Sequence, residues 1–236
     1  MSRFTLRAYR PADRAAVLRL QADTLFLGAP LPFPVEGLDG LLAAMSDYYL
    51  EREPEHAWVA EDDLGRVAGY LLLTIHPARE SAHRLAQLRP LLARLALRWR
   101  RLDAFSRLFW RLRARDVWEV IRHPEPELPA VVHWNMLPAA RLATAQQIQY
   151  LAANACLEAG IPAYGGGLTV EERHRQTAWR LIGGEPLAEG PNHTLSVLAG
   201  RPIFRVTVRI DAADMLARTA WRPATATQPA QPPPGA

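Results

Sequence analysis

The chain has 236 residues, with 28 basic and 24 acidic side chains, seven His and one Cys. Its 49% hydrophobic and 22% charged residues suit one large domain or two small ones, and they exclude a wholly disordered chain, a collagen-like repeat and a disulfide scaffold, since Cys156 has no partner within the chain. The opening MSRFTLRAYR lacks an apolar block of signal-peptide length and no stretch reaches the ~18 apolar residues of a membrane span, so a cytoplasmic protein without a membrane partner is expected.

FTLRAYR (4–10) alternates as a first strand, and Pro11 opens a helical pattern through Val17, Leu20 and Leu25. GAPLPFPV (28–35) is a loop, after which Leu38, Leu41, Leu42, Met45, Tyr48 and Tyr49 mark a second amphipathic helix. HAWVAEDD (56–63) and RVAGYLLLTIH (66–76) flank a turn at Gly65 and predict a hairpin. Residues 77–123 then read as a long helical insertion, with Leu88, Leu92, Leu95, Trp99, Leu102, Phe105 or Ser106, Phe109 and Leu112 in a stripe flanked by Arg.

Every basic residue is Arg, and 12 of them fall in 77–128 against six acids, whereas the remainder holds 16 Arg and 18 acids. The basic segment reads first as a packing helix with a solvated Arg face; a lid over an anionic ligand, an anionic membrane surface and nucleic acid are the sharper readings, nucleic acid not being expected as its main role. A homodimer through the insertion is a further reading of the same apolar stripe.

PAVVHWNML (129–137) predicts a fourth strand stopped by Pro138, and Thr144 to Glu158 a helix capped by Gly160. IPAYGGGL (161–168) predicts a short strand loosened at its end by three glycines, followed by a helix from Thr169 or Glu171 through Trp179 to Gly183. HTLSVLAG (193–200) and PIFRVTVRI (202–210) predict two strands, with a short helix at Ala212 to Arg218. This gives one domain over 1–220, with the helical insertion at 77–128, and a Pro-rich disordered tail at 221–236.

GxxxxGK, GxSxG, HExxH and zinc-spaced Cys/His motifs are absent, and Gly165-Gly166-Gly167 lacks the rest of a dinucleotide fingerprint. What remains is the order of elements, and on it FTLRAYRPADRAAVLRL, HAWVAEDDLGRVAGYLLL and the stretch from PAVVHWNMLP to LIGGEP resemble the GNAT acetyltransferase superfamily. More narrowly, WVAEDD, an Arg- and Trp-rich insertion and then PAVVHWNMLP are similar to bacterial acetyltransferases related to the C-terminal acetyltransferase-like domain of O-GlcNAc hydrolases.

The resemblance implies an α/β fold: a GNAT-like mixed central sheet flanked by helices, with the helical insertion between its third and fourth strands. It implies acetyl-CoA as co-substrate, bound where the strand at 130–137 splays from its neighbour, with the pyrophosphate on backbone N–H groups at a helix N-terminus. Arg141 falls on the first position of the family's R/Q-x-x-G-x-G/A signature, but its glycine positions carry Thr144 and Gln146, with Leu142 where another Gly is common. Met136, Leu137, Ala143 and Ala145 complete the expected cofactor-binding stretch, and non-glycine side chains there hinder the approach of phosphates.

The family's acid, a Tyr on the last core helix, is replaced by Trp179, and its Asn by Glu172. His133 and Asn135 share one strand face at i and i+2 and are the expected catalytic pair, with only His133 able to accept a proton. Tyr164 is a spare phenol, more readily a packing residue. The resemblance thus implies a divergent N-acetyltransferase of a small amine, or alternatively a GNAT-fold binding or scaffold module without catalysis and without an amine substrate.

Overall fold

A computed structural model describes residues 4–221. Seven strands form one sheet in the order β1-β2-β3-β4-β5-β7-β6. Strands β1 (Phe4–Ala8), β2 (Ala57–Asp62), β3 (Val67–Thr74) and β4 (Val131–Met136) pair antiparallel in sequence. Strands β5 (Ala163–Glu171), β7 (Ile203–Asp211) and β6 (Glu185–Pro191) form a second antiparallel set. The two sets meet through the parallel pair β4/β5, which shares one bridge, Val131 with Gly165.

The sheet is covered on both faces. Helices α1 (Arg14–Thr24) and α2 (Leu38–Arg52) cover one, burying Val17, Leu20, Tyr48 and Tyr49 against Val59, Tyr70 and Leu72. On the other, α5 (Pro138–Glu158) buries Ile148, Ala152 and Cys156 against Leu71, Leu73 and Tyr164. Alternation along β3 explains both clusters, because Tyr70 and Leu72 point one way and Leu71 and Leu73 the other.

The insertion between β3 and β4 is helical, as expected, and consists of α3 (Pro77–Arg98) and α4 (Ala104–Arg122) joined by a tight 99–103 turn. Leu91, Leu95, Leu102, Phe109 and Trp110 pack on Val35 and Leu41, so the insertion shares a core with α2 and the loop before it. Of the stripe read from sequence, Leu92 stays largely exposed because the buried face is centred on Leu91 and Leu95 instead.

Four local readings are corrected. The helix after β4 begins at Pro138, not Thr144: Pro138 occupies the first helical position, where its missing N–H costs nothing. The three glycines lie inside β5 and tighten it; a Cβ on Gly165 would stand 2.0 Å from the Val208 carbonyl oxygen, and one on Gly166 2.6 Å from that of Val132. The strand runs on to Glu171 because β7 pairs with it through Ile203, leaving only a four-residue α6 (Ala178–Leu181) of the expected helix. Finally, 193–200 is α7 (His193–Ala199), started by the Asn192 side chain and stopped by Gly200 in the left-handed region, and the missing strand is β6.

The expected helix at Ala212 to Arg218 is present as α8. Of the expected tail, Trp221 packs edge-on to Tyr150 with ring centroids 5.2 Å apart, and 222–236 lies outside the described residues.

Candidate active site

Strand β4 is fully paired with β3 along one edge, from Gly69 opposite Met136 to Thr74 opposite Val131. Its other edge faces β5 and, beyond Val131, has no strand partner among the described residues. Backbone N–H and C=O groups inside a sheet require partners, so an open internal edge is a place for an extended ligand to pair. It opens toward the C-terminal end of β4, where α5 starts.

The side chains of β4 divide as the sequence predicts. Met136, with Val132 and Trp134, packs on the α5 side, while His133 and Asn135 lie on the face of Tyr70. Asn135 donates from Nδ2 to the Tyr70 hydroxyl at 2.8 Å, and that hydroxyl stands 3.4 Å from His133 Nε2, with the rings edge-to-face. The Tyr70 oxygen accepts from Asn135 and has a second lone pair for Nε2–H, and in that tautomer Nδ1 is the ring nitrogen left to accept a proton.

Burial pushes His133 down to about 4, with the Arg84 charge adding to the effect, so the imidazole is neutral near pH 7. Burial also raises the Tyr70 phenol well above its usual range, against the opposing hydrogen bond from Asn135. Tyr70 therefore stays protonated.

Arg84 belongs to the insertion. Its Nη1 donates to Glu80 Oε1 at 2.9 Å, and Glu80 is only 3% exposed. Burial raises the Glu80 carboxyl, opposed by Arg84, and the Glu80 charge adds to the burial that raises the Tyr49 phenol. The first turns of α3 thus bring a buried carboxylate and a guanidinium into the electrostatic surroundings of His133 and Tyr49. Sequence reading missed Tyr70, Glu80 and Arg84. The direct opposition of Tyr70 to Asn135 depends on β3/β4 register across a 56-residue connection, and only the i,i+4 spacing of Glu80 and Arg84 was visible.

At the expected cofactor end, Leu137 N–H donates to Ala68 carbonyl, Pro138 has no N–H, and Ala140 N–H donates to the Leu137 carbonyl. From Arg141 onward the amides lie within α5 and are committed to carbonyls four residues back. The amides of Leu142, Ala143, Thr144, Ala145 and Gln146 therefore do not form the expected phosphate loop, and Ala139 keeps the open one. Thr144 is fully buried, its hydroxyl donating to the Ala140 carbonyl at 2.8 Å and touching Met136 Sδ at 3.0 Å, while Gln146 is exposed.

Arg141 is exposed at the same end, and its Nη2 stands 3.0 Å from where a Gly28 Cβ would be. Gly28, at φ +92°, leaves room for that guanidinium. The open β4 edge, the Ala139 amide and Arg141 suit an extended ligand with an anionic end, with fewer amide donors than a glycine loop would give.

The other residues singled out from sequence lie elsewhere. Trp179 packs with Val170, Val206 and Val208, and Glu172 is exposed and pairs with Arg175. Tyr164 is buried on the α5 side with its hydroxyl 3.5 Å from the Gln149 carbonyl, which is a packing role. Burial pushes the Cys156 thiol up to about 12, so it is no nucleophile. Two surface clefts, of about 410 Å³ beside Tyr48, Glu53 and His83 and about 440 Å³ beside Trp179, Arg209 and Arg218, are lined by neither His133 nor Arg141.

No protein-family model matches the chain, and no curated protein matches its sequence. Among solved structures, SsHAT superposes with a TM-score of 0.59 at 18% identity, covering 89% of this chain and 98% of that one. A polyamine N-acetyltransferase of Drosophila melanogaster gives 0.48 at 13% identity over 88% and 99% of the two chains, and yncA from Salmonella typhimurium, solved with its cofactor acetyl-CoA, gives 0.48 at 16% over 94% and 99%. The strand order, the single parallel bridge at the centre of the sheet and the likeness to SsHAT identify the fold: this chain has the mixed α/β fold of SsHAT, in the element order expected from the GNAT resemblance.

Proposed function

We propose that the protein is an acetyl-CoA-dependent N-acetyltransferase of divergent type, transferring acetyl to a small amine in a ternary complex. The observation that carries this reading is the open edge of β4 beyond Val131, bordered by His133 and ending at the start of α5. Acetyl-CoA, when bound, supplies an acetyl thioester to an attacking amine.

The chain's own contribution is orientation and proton handling. The free β4 edge supports extended pairing, and Arg141 with the Ala139 amide supplies positive charge at its far end. His133, neutral near pH 7, accepts the proton that the amine loses, directly or through water. Tyr70 holds the imidazole by its hydroxyl and Asn135 holds Tyr70, which makes Asn135 a positioning residue. A base this weak cannot draw a proton from an alkylammonium, so the amine must arrive neutral and much of the acceleration must come from positioning.

Titration calorimetry with acetyl-CoA tests the reading. Binding is expected, weakened about tenfold by Arg141→Ala as one charge-assisted contact is lost, with transfer to amines falling further in His133→Ala. No heat and no thermal shift at millimolar acetyl-CoA would remove the enzyme. A second reading, a binding or scaffold module without catalysis, is favoured by the start of α5 at Pro138, which takes up the amides a pyrophosphate would use. It gains if both variants leave every detectable transfer unchanged.

A further inference from the structure

The solvent face of α4 carries two kinds of group that rarely share an exposed surface. Helical spacing places Arg107, Arg111, Arg115, Trp118, Ile121 and Arg122 in one arc, opposite the buried Ser106, Phe109 and Asp116. Among the described residues, none of these four Arg has a carboxylate within 4 Å. Arg107 donates to the Leu102 carbonyl and Arg111 lies over the Trp99 ring at 5.7 Å, so two of the guanidiniums are held at the surface without being neutralised.

Between them Trp118 is 57% and Ile121 63% exposed. The helix has two acids, Asp116 and Glu119, and Asp116 is turned inward to accept hydrogen bonds from the His193 amide and the Thr194 hydroxyl. Its outward charge is therefore almost wholly positive.

We propose that this face of α4 docks the protein on an anionic lipid surface, lying in the headgroup region without crossing it. The unpaired guanidiniums meet lipid phosphates, and Trp118 and Ile121 enter the boundary between headgroups and acyl chains, where an indole is favoured. The occupant follows from charge and from what the face lacks. A second copy would bring the same unpaired Arg against these, a like-charge contact that opposes dimerisation here. Nucleic acid would meet the charge, but the arc carries no Asn, Gln, Ser or Thr to reach base edges, and its aliphatic Ile121 has no use on a phosphate backbone. Sequence alone favoured no membrane partner, since it shows no span, and among the described residues no helix is long and apolar enough to make one. Which side of α4 faces outward becomes visible only in the fold.

The experiment is co-sedimentation of the full chain with phosphatidylcholine vesicles, with and without about a third phosphatidylglycerol, at low and high salt. Binding only to the anionic vesicles, weakening with salt, is expected. Arg111→Ala/Arg115→Ala/Arg122→Ala should reduce it at least tenfold, and Trp118→Ser/Ile121→Ser several-fold at low salt. All are exposed positions whose folding is checked by circular dichroism. No binding to anionic vesicles, or binding indifferent to both variants, overturns the proposal. So does α4-dependent binding to an oligonucleotide with none to vesicles, or an α4-dependent dimer in sedimentation velocity. None of these readouts requires acetyl-CoA, so the lipid proposal and the acetyltransferase reading fail separately.

Discussion

His133 carries the residue-scale argument, because its burial fixes both what it can do and how the fold responds to acid. Its folded value of about 4 lies below the ordinary histidine value of 6.5, so the unfolded chain binds a proton that the folded chain refuses between those two pH values. The stability from keeping it neutral is complete above about pH 6.5 and is lost as pH falls toward 4, on the order of 2 kcal/mol across that window. His133→Gln is expected to flatten this acid limb in urea titrations at pH 4.5 and 7, whereas an unchanged limb would place the responsible group elsewhere. By the same logic, transfer in the wild type should rise with pH as the amine loses its proton and show no inflection near 6.5. Sequence made this residue legible through its i,i+2 partner Asn135. Tyr70 was not legible, because its role comes from a cross-strand register rather than from neighbours in the chain.

At the scale of elements, the insertion is fastened to the far half of the sheet by hydrogen-bonded carboxylates that no local pattern announces. Asp116 of α4 is 5% exposed and accepts from the His193 amide at 2.6 Å and the Thr194 hydroxyl at 2.5 Å, at the start of α7. Glu125, just after α4, accepts from Arg205 and Thr207 of β7. Asp116→Ala leaves two buried donors without a partner and should cost about 3 kcal/mol, with faster amide exchange in α7 and little change in α3. Uniform loosening of both helices would mean that Asp116 only fills space. Non-local pairing also explains the elements that sequence misplaced. Strand β6, to which the sequence reading assigns no element, contains Pro186 and Pro191 and lies at the sheet edge where prolines are tolerated. Helix α7 is dense in Thr, Val and Leu and read as a strand, although Asn192 and Gly200 already supplied its caps.

For the whole molecule, the sheet is two antiparallel halves joined at one point, and the glycines of β5 set how closely they meet. The closed end of the gap lies at Gly165 and Gly166, one against β7 and the other against β4; the run was visible in sequence, but not which backbones approach it. A methyl on Gly165 cannot be accommodated by rotating a side chain, since the obstructing atom is the Val208 carbonyl oxygen, so β5 and β7 must part. Gly165→Ala is therefore expected to cost about 3 kcal/mol or more. Gly167→Ala meets only the Arg205 side chain, at 3.7 Å, and should change stability by less than about 1 kcal/mol. Gly166→Ala, aimed at the Val132 carbonyl across the gap, should open the closed end of the wedge and shift the β4 edge that the proposed cofactor needs. Its acetyl-CoA affinity should then fall even at temperatures where the variant remains folded, while Gly167→Ala binds as the wild type does. Equal affinities for all three proteins would show that the wedge tolerates a change in width, and that recognition rests on the Arg141 end alone.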